Sequence, residues 1–458
     1  MQRRKFSLVT GSLAALAGCL AVAACTPGAA ANAGSNAPAS VATTNPAKLG
    51  RVTLRDLDYF TSGVDNTWMK DVIAAFEKKY PNITIQRSTL DWTDLMQELP
   101  LKLKSPSPPD IVPPNQGWQS LGTLVQGGLV ANLSSYATAY GWDKSVPSSI
   151  LRQQEFSTNG KQMGTGGIFG MPVALSSLIE VYYNRSLLKR LGLSVPTTFS
   201  EFTADLAKAK QGGITPIMLG NLSQFGITEP LYAAMDALGD PAAISSLIYS
   251  QGQGTLTGTA TGFSQAVSTM SDWANKGYFT PQFAGVSEND AEQNFVNGQG
   301  LFHFDYSGSL PFAAGQSKNF GSFVMPRDDG KPPAATMSAA TQLSVSSKSA
   351  HVAAAAAFLN FAASPAAARI AVQLGTDPML APGVSLPTSN PEFADEVTNA
   401  NLVTEHNTSV PYLDWATPTL LTTLSVQMQE LLASKTSVSS AIAAIAADDA
   451  TYRAKLDK

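Results

Sequence analysis

Residues 51–89 read RVTLRDLDYFTSGVDNTWMKDVIAAFEKKYPNITIQRST, and this stretch decides the fold class. Arg51 to Phe60 alternates apolar and polar side chains, as a half-buried strand does. A helix is expected from about Trp68 until Pro81 ends it, and Asn82 to Thr89 then alternates as a second strand. The order strand, helix, strand predicts a parallel sheet covered by helices, which is an α/β fold.

The same unit is repeated directly afterwards. A helix is expected from about Trp92 to Lys104, followed by a short buried strand at Pro109 to Val112. In open parallel sheets, ligands gather at the carboxyl ends of the strands. The three loops that follow these strands should therefore converge on one site, and they are Thr61–Asp65, Leu90–Thr93 and Pro113–Trp118.

The overall composition fits a globular protein with a sizeable core. The chain has 458 residues, of which 44% are hydrophobic and 14% charged, a length that suggests two or three domains. The formal net charge of -4 becomes about -7 once the three positive charges within residues 1–24 are removed. A nucleic-acid partner is not expected, because phosphate binding needs a basic surface.

Metal and redox chemistry find little support in the sequence. Cys19 and Cys25 are the only cysteines, and the three histidines, His303, His351 and His406, are far apart along the chain. A cysteine cluster is thereby excluded, and each histidine is expected to be a surface or satisfied polar residue. No metal and no cofactor are expected.

The first 24 residues read as an export signal. Arg3, Arg4 and Lys5 give a basic start, and Phe6 to Ala24 carries no charged side chain. An uncleaved membrane anchor is the alternative, although this run barely reaches the roughly 20 residues that a spanning helix needs. The start also resembles a twin-arginine signal, so both Sec and twin-arginine export stay open.

Cys25 is the expected lipidation site, with Cys19 as the alternative. Both follow small residues and resemble the cysteine of a bacterial lipobox. Cleavage before Cys19 would leave an apolar stretch at the mature N-terminus, whereas cleavage before Cys25 leaves a polar one. Residues 25–48 are rich in Ala, Ser, Asn and Pro, which predicts a flexible tether. We expect an extracytoplasmic protein anchored to the cell membrane by its N-terminal lipid, on the outer face of the plasma membrane or in the periplasm.

Several motifs behind this tether resemble one family, the extracellular sugar-binding proteins of bacterial ABC importers, which are relatives of the maltose-binding protein. The motifs are FEKKYPNI (76–83), GIFGMPV (167–173), EVYYNRSLLKRLGL (180–193), PTTFSEF (196–202) and the stretches 290–300 and 353–365. They are scattered over nearly all of the chain after the tether.

The resemblance implies the two-lobed, type II periplasmic-binding-protein fold. Each lobe should hold a mostly parallel sheet with flanking helices, and the ligand cleft should lie between the lobes. The chain should cross between them near residues 170–174 and 323–327, where Gly and Pro can absorb a hinge rotation. The expected division is 49–172 with 327–378 for lobe 1, and 173–326 with 379–458 for lobe 2.

A sugar site needs aromatic plates for C–H faces and polar groups for hydroxyls. Trp118, Asn115 and Gln116 follow the third strand and meet this need, although Trp118 could instead be a core residue. The family parallel places Asp414 and Trp415 in a ligand-facing loop of the second lobe. The remaining candidates are Ser62, Asp91, Trp92, Ser176, Tyr182, Asn221, Gln224 and Tyr306.

One departure from the family puts the class of sugar in doubt. Where many relatives carry a tryptophan, residues 307–310 read SGSL, so a common stacking plate is missing. Tyr306 or Phe312 could replace it.

The expected function is that of a monomeric, extracytoplasmic substrate-binding subunit of an ABC importer. It would capture a mono- or oligosaccharide by lobe closure and deliver it to the transmembrane permease. A polyamine or an organophosphate is the alternative ligand, and these would favour clustered carboxylates or arginines respectively. A secreted glycoside-processing enzyme is a further alternative, but the sequence holds no Gly-x-Ser-x-Gly motif.

Overall fold

The computed structural model describes residues 36–173, 176–249, 255–312, 315–339, 341–375 and 391–456. The predicted signal peptide, both cysteines and the first part of the predicted tether lie outside these ranges. Within them, no single helix is long and apolar enough to span a membrane, and one bent pair of helices, 352–362 with 365–374, meets the length and composition criteria together.

Strands and helices alternate along the described chain. The strands are β1 (Val52–Asp58), β2 (Ile83–Thr89), β3 (Ile111–Val112), β4 (Glu155–Phe156), β5 (Gly167–Ile168), β6 (Met171–Pro172), β7 (Ser176–Asn184), β8 (Ile217–Met218), β9 (Phe302–Tyr306), β10 (Phe320–Phe323), β11 (Ala335–Ala339), β12 (Gln342–Val345) and β13 (Ser409–Val410). The helices are α1 (Gly63–Lys79), α2 (Trp92–Lys104), α3 (Leu121–Gln126), α4 (Ser134–Tyr140), α5 (Trp142–Ser145), α6 (Ser148–Leu151), α7 (Arg185–Leu191), α8 (Phe199–Gln211), α9 (Thr228–Leu238), α10 (Pro241–Ile248), α11 (Phe263–Asn275), α12 (Glu288–Val296), α13 (Val352–Ala362), α14 (Pro365–Leu374), α15 (Pro391–Glu405), α16 (Leu420–Leu432) and α17 (Val438–Leu456).

The first lobe is built on the sheet β2-β1-β3-β12-β6. β1 pairs in parallel with β2 and with β3, as the opening stretch of sequence predicts. α1 covers this sheet with Trp68 and Phe76, which are fully buried, and the Trp68 indole donates to Ala367 O at 3.1 Å. α1 begins at Gly63, earlier than the expected start at Trp68. Asp65 lies in its first turn, where a negative charge interacts favourably with the positive end of the helix dipole.

The second lobe is built on the sheet β13-β11-β7-β9-β8, with β10 also paired to β7. β7 runs antiparallel to β9, β10 and β11, whereas β8 and β9 are parallel. Both sheets are therefore mixed, because β7 and β12, which follow the crossings between sheets, run against the direction of their neighbours. The α/β class with two sheet-containing lobes, predicted from the sequence, is confirmed.

The chain changes sheets at two places. The first change lies between β6, which pairs with β12, and β7, which pairs with β9. The second lies between β11 and β12, because β11 still pairs with β7 and β12 already pairs with β3. The crossing expected near 323–327 lies earlier in the chain than this change of sheets, because β11 pairs with β7 and β13 of the second sheet.

The second half of the expected tether packs on the first lobe. We call residues 36–48 the docked segment. Asn36 O accepts a hydrogen bond of 2.8 Å from Asn132 Nδ2, and the Ala39 amide donates to Asn132 O at 2.9 Å. Tyr136 Oη donates to the backbone of the same segment at 3.2 Å. Composition alone predicts a flexible chain here. Instead, polar side chains of the lobe form hydrogen bonds with the backbone of the segment and hold it in place.

Candidate ligand-binding site

A cavity of about 660 Å³ lies between the two lobes. The first lobe contributes the start of α2 and the segment after β3, while the second contributes α9, α12, β9, β11 and the segment after β13. Its aromatic lining consists of Trp92, Phe225, Tyr232, Phe304, Tyr306, Tyr412 and Trp415. Its main polar lining consists of Asn115, Gln116, Gln119, Glu229, Glu288, Glu292, His303, Asp305 and Asp414.

Two of the three loops expected to converge do so. Trp92 follows β2, and Asn115 and Gln116 follow β3, so both loops reach the cavity at the carboxyl ends of their strands. The loop Thr61–Asp65 does not, because α1 takes up most of it. Thr61 lines a separate cavity of about 520 Å³ beside α1.

Trp92 stands at the rim of the cavity. Its side chain is 42% exposed, and its ring meets that of Tyr59 edge-on, with the centroids 4.8 Å apart. An indole held in place on one side and open to solvent on the other presents a flat apolar surface. Trp92 can therefore stack on the C–H face of a ring that enters the cavity.

Gly117 brings the first lobe into direct contact with Trp415. The amide next to it, that of Trp118, donates to Trp415 O at 3.0 Å. Gly117 has φ of +72°, and a Cβ added there would lie 2.2 Å from the Cβ of Trp415. Only glycine fits this left-handed, crowded position, so Gly117 sets where the Trp415 ring can stand.

An aromatic wall is formed by four side chains of the second lobe, Tyr232, Tyr306, Tyr412 and Trp415. The Tyr412 ring is its centre, with centroid distances of 5.1 Å to Trp415, 6.1 Å to Tyr306 and 6.2 Å to Tyr232. Tyr306 thus supplies an aromatic surface near the missing family tryptophan. Phe312 does not, because it packs against Phe320 in a separate core cluster.

Asp414 is held from both sides of the cavity. Its Oδ2 accepts a hydrogen bond of 2.9 Å from Gln119 Nε2, and its Oδ1 accepts one of 2.7 Å from Tyr232 Oη. Burial raises the pKa of Asp414 to about 6, although these hydrogen bonds oppose the rise. A carboxylate with such a pKa is charged at neutral pH and can accept further hydrogen bonds from a ligand.

A second group of acids lies deeper, on α9, α12 and β9. Burial, followed by the nearby Asp305 charge, raises the pKa of Glu229 to about 8 and that of Glu292 to about 7. His303 Nδ1 donates to Met218 O at 2.8 Å, and its Nε2 lies 3.3 Å from Asp305 Oδ2. Burial lowers the pKa of His303, but Asp305 outweighs it and the net shift is upward.

Among the described residues, no group of three or more His, Cys, Asp or Glu is arranged to hold a metal ion. The acids of the cavity are spread over separate elements, and His303 already uses both ring nitrogens. His303 is thus a satisfied, buried polar residue.

Three of the predicted site residues lie in the protein interior instead of the cavity. Trp118 is fully buried and packs edge-on against Phe156, with centroids 5.3 Å apart, so the core alternative is correct. Tyr182 is fully buried and is not a lining residue, and its hydroxyl is 2.6 Å from Glu396 Oε1. Asn221 is buried and uses its Oδ1 to accept a hydrogen bond from the Ile227 amide, which shapes the loop before α9.

Four further candidates are also not found in the cavity lining. Ser62 is exposed at the start of α1, and Asp91 is exposed at the start of α2, where the chain turns its side chain outward. Gln224 has φ of +72° in a turn after β8 and is not among the lining residues, although the next residue, Phe225, is. Ser176 begins β7 by pairing with Ala339, and its side chain lies outside what the structure describes.

The structure adds lining residues that the sequence reading missed. Glu229 and Tyr232 stand three positions apart on α9 and so share one helix face, while His303 and Asp305 share one face of β9. Tyr412 precedes Asp414 in the segment already chosen. The spacing of each pair could have predicted that its two side chains share one face. The sequence of α9, however, is mostly apolar and is typical of a core helix, so it does not indicate that Glu229 lines a cavity.

A cavity enclosed between two α/β lobes, with aromatic walls and polar groups that converge on it, is the site of a binding protein that closes on a small solute. The chain belongs to the bacterial extracellular solute-binding protein family, whose model matches residues 61–369. Members of this family are binding proteins that work outside the cytoplasm, so the chain is extracytoplasmic.

Individual relatives match parts of the chain. A probable sugar-binding periplasmic protein of Mesorhizobium japonicum is 35% identical over 94 residues, which is 20% of each chain. The matched stretch thus spans only about a fifth of that relative's length. The multiple sugar-binding protein of Streptococcus mutans is 23% identical over 281 residues, 59% of this chain and 62% of that protein.

Solved structures agree with the fold over most of the chain. A chitin oligosaccharide binding protein superposes with a TM-score of 0.72 at 20% identity, covering 88% of this chain and 99% of the other. A family 1 extracellular solute-binding protein from Bifidobacterium longum subsp. infantis gives 0.68 at 20% identity, covering 88% and 100%. At such identities the likeness concerns the fold alone.

Proposed function

We propose that this protein is the substrate-binding subunit of an ABC importer, which captures a mono- or oligosaccharide by lobe closure and delivers it to the permease. The observation that carries this proposal is the cavity between the lobes. It joins an aromatic wall around Tyr412 to a rim of hydrogen-bonding side chains that includes Asn115, Gln119 and Asp414. Aromatic faces suit the C–H faces of a sugar, and the polar rim suits its hydroxyls.

The names of several relatives agree with a sugar ligand. The Mesorhizobium and Streptococcus relatives are named sugar-binding proteins, and the structural neighbour named above binds chitin oligosaccharides. We carry the class of ligand over to this chain, but not any particular sugar, because the likeness to the solved structure, at 20% identity, concerns the fold alone.

We also propose that Cys25 carries a lipid that anchors the protein to the outer face of the membrane, with Cys19 as the alternative, and that the protein acts as a monomer without catalytic activity. The division into lobe 1 and lobe 2 is retained, with its second boundary moved to the change of sheets after Ala339. Mass spectrometry of the mature N-terminus tests the anchor, and an unlipidated, uncleaved start would contradict it.

Thermal-shift screening of the purified protein against a panel of sugars tests the main proposal, with isothermal titration calorimetry for each hit. At least one sugar should raise the melting temperature in a concentration-dependent way. If no sugar raises the melting temperature but polyamines or organophosphates do, the carbohydrate proposal is wrong. Incubation with chromogenic glycosides separates binder from enzyme, because steady release of product would reject binding alone.

Of the alternative ligands, a specific observation favours the polyamine over the organophosphate. The described residues that line the cavity include several carboxylates and neither lysine nor arginine. An organophosphate would meet repulsion from these acids, whereas a cation would not.

A further inference from the structure

The charged side chains in the described lining of the cavity are almost all acidic, and the one basic group is His303. A neutral sugar needs hydrogen-bond acceptors, but it does not need this many formal charges of one sign. The acidic residues are Glu229, Glu288, Glu292, Asp305 and Asp414.

Of these carboxylates, Asp305 alone has a cationic partner among the described residues. Asp305 faces His303, at 3.3 Å, and this is the one ion pair among them within the described residues. The others use neutral donors: Glu288 accepts from Ser223 Oγ at 2.6 Å, and Asp414 accepts from amide and hydroxyl groups. The cavity therefore holds an excess of acidic groups over basic ones. Burial and the nearby Asp305 charge raise the pKa of Glu229 and of Glu292, and a cation entering the cavity would lower both pKa values and favour the ionised carboxylates.

Glu229 is the acid for which this matters most. Glu229 is only 7% exposed and lines the cavity. Its Oε2 has no hydrogen-bond partner among the described residues. Burying a carboxyl oxygen without a partner costs free energy, and a neighbouring like charge adds to that cost. The second acid, Asp305, is close enough to contribute in this way. An ammonium group beside Glu229 would offset both costs.

The aromatic wall fits the same kind of ligand. Tyr306 is next to Asp305 in the chain and shares the wall with Tyr412, so tyrosine faces stand beside the carboxylates. A cation close to an aromatic face gains attraction from the ring quadrupole, in addition to its attraction to an acid. Flat aromatic faces together with carboxylates suit a ring that carries a positive charge better than a flexible chain of amines.

We propose that the ligand is an amino sugar with a free, protonated amine, whose ring stacks on the aromatic wall and whose ammonium group is held by Glu229, Glu292 and Asp305. This inference rests on the proposed function, since it specifies which carbohydrates the same cavity takes. The amine donates hydrogen bonds to carboxylate oxygens and supplies the missing countercharge. A hydroxyl at the same position supplies only the hydrogen bond.

The test compares sugars that differ at one substituent. Isothermal titration calorimetry with the full-length protein uses glucose, N-acetylglucosamine and glucosamine, and the β-1,4-linked dimers of each, at a pH below the pKa of the amino sugar's own ammonium group. The free-amine sugar should bind about 10-fold or more tightly than both neutral partners of equal length, and added salt should reduce this ratio.

Variants assign the preference to the acids. Glu229→Gln and Glu292→Gln keep the size of the side chain but remove the ionisable carboxyl group, so each should weaken binding of the free-amine sugar by a larger factor than it weakens binding of N-acetylglucosamine. Glu430→Gln, at an exposed carboxylate outside the cavity, is the matched control and should keep the preference. Two independent variants are used so that poor folding of one does not decide the result.

The outcomes separate this inference from the proposed function. Neutral sugars that bind as tightly as the free-amine sugars would overturn the amino-sugar inference and leave the importer proposal intact. Binding of spermidine with no binding of any sugar would overturn both. An amine preference that persists in both variants would overturn the assignment to Glu229 and Glu292.

Discussion

Gln119 Nε2 donates a hydrogen bond of 2.9 Å to Asp414 Oδ2, although the two residues are 295 positions apart in the chain. Gln119 follows β3 of the first sheet and Asp414 follows β13 of the second, so this bond joins the two lobes at the cavity. The same carboxylate also accepts from Tyr232 on the aromatic wall. One side chain therefore connects the polar rim, the aromatic wall and both lobes.

Replacing Asp414 by alanine should weaken both binding and folding. The change leaves the buried Tyr232 hydroxyl without its acceptor, which costs about 1–3 kcal/mol. Gln119 Nε2 loses its bond to the carboxylate and keeps only the one to Asp414 O, at 3.2 Å. We expect a clear drop in melting temperature and roughly 10-fold weaker binding of the best sugar from the screen. Asp272→Ala, at an exposed carboxylate paired with Lys276, is the control. Equal effects of the two variants would contradict the role given to Asp414.

Trp92→Ala should impair binding without harming the fold. The indole is 42% exposed and stands at the rim of the cavity, so its loss removes a stacking surface but little core packing. Sugar affinity should fall about 10-fold, which corresponds to about 1.4 kcal/mol. Leu101→Ala is a matched control, because Leu101 lies on the same helix, is 74% exposed and is not in the cavity lining. Calorimetry and thermal denaturation of both variants measure the difference.

Trp118 should behave as a core residue. It is fully buried against Phe156 and Tyr452, so Trp118→Ala is expected to cost about 3–5 kcal/mol of unfolding free energy. Trp118→Phe keeps most of the packing and should retain the affinity of the natural protein for its sugar. Denaturant unfolding and calorimetry give the two quantities. A strong loss of affinity in a well-folded Trp118→Phe variant would restore this side chain to the binding site.

Glu229 makes stability depend on pH. Its pKa is about 8 in the folded protein and 4.5 in the unfolded chain, so the folded protein holds the proton over a range in which the unfolded chain has released it. The free energy of unfolding should therefore fall as the pH rises from 4.5 to about 8. Groups that face Glu229 are Asp305, Tyr306 and Thr228.

Glu229→Gln removes the ionisable carboxyl group that causes this pH dependence of stability. We expect the variant to be more stable than the natural protein at pH 8, by on the order of a few degrees in melting temperature, with a smaller difference at pH 5. Thermal denaturation of both proteins across this range measures the effect. A difference that grows towards low pH would show that the sign is wrong.

The docked segment should be visible in hydrogen exchange. The Ala39 amide donates to Asn132 O, so its exchange should be slowed relative to an open chain. Asn132→Ala removes the side-chain bond to Asn36 and should speed exchange across residues 36–48. Complete deuterium uptake of this stretch at the earliest time point in the natural protein would contradict docking.

Local patterns were sufficient for much of the first lobe. The bounds of α2 and the strand-helix-strand order follow from hydrophobic period and from prolines, which act within a few residues. Long-range contacts decided the exceptions. The composition of residues 36–48 predicts free chain, but it cannot show that Asn132, far along the sequence, satisfies their backbone.

The site was harder to predict for a related reason. An aromatic residue after a strand can face the cleft or the core, and the sequence gives the same pattern for Trp92 and Trp118. Acids on helices buried from both sides, such as Glu229, stand among apolar neighbours and give no amphipathic signal. Gly117 shows its importance only beside Trp415, because its close approach is a tertiary contact.

Docking of residues 36–48 shortens the part of the chain that can separate the protein from the membrane. If Cys25 carries the proposed lipid, the docked segment begins 11 residues after the anchor, a separation that cannot exceed roughly 40 Å in any conformation of the chain. Because Asn132 and Tyr136 of the first lobe hold the docked segment, the first lobe would stay close to the bilayer. Closure of the cavity would then take place at a limited height above the bilayer.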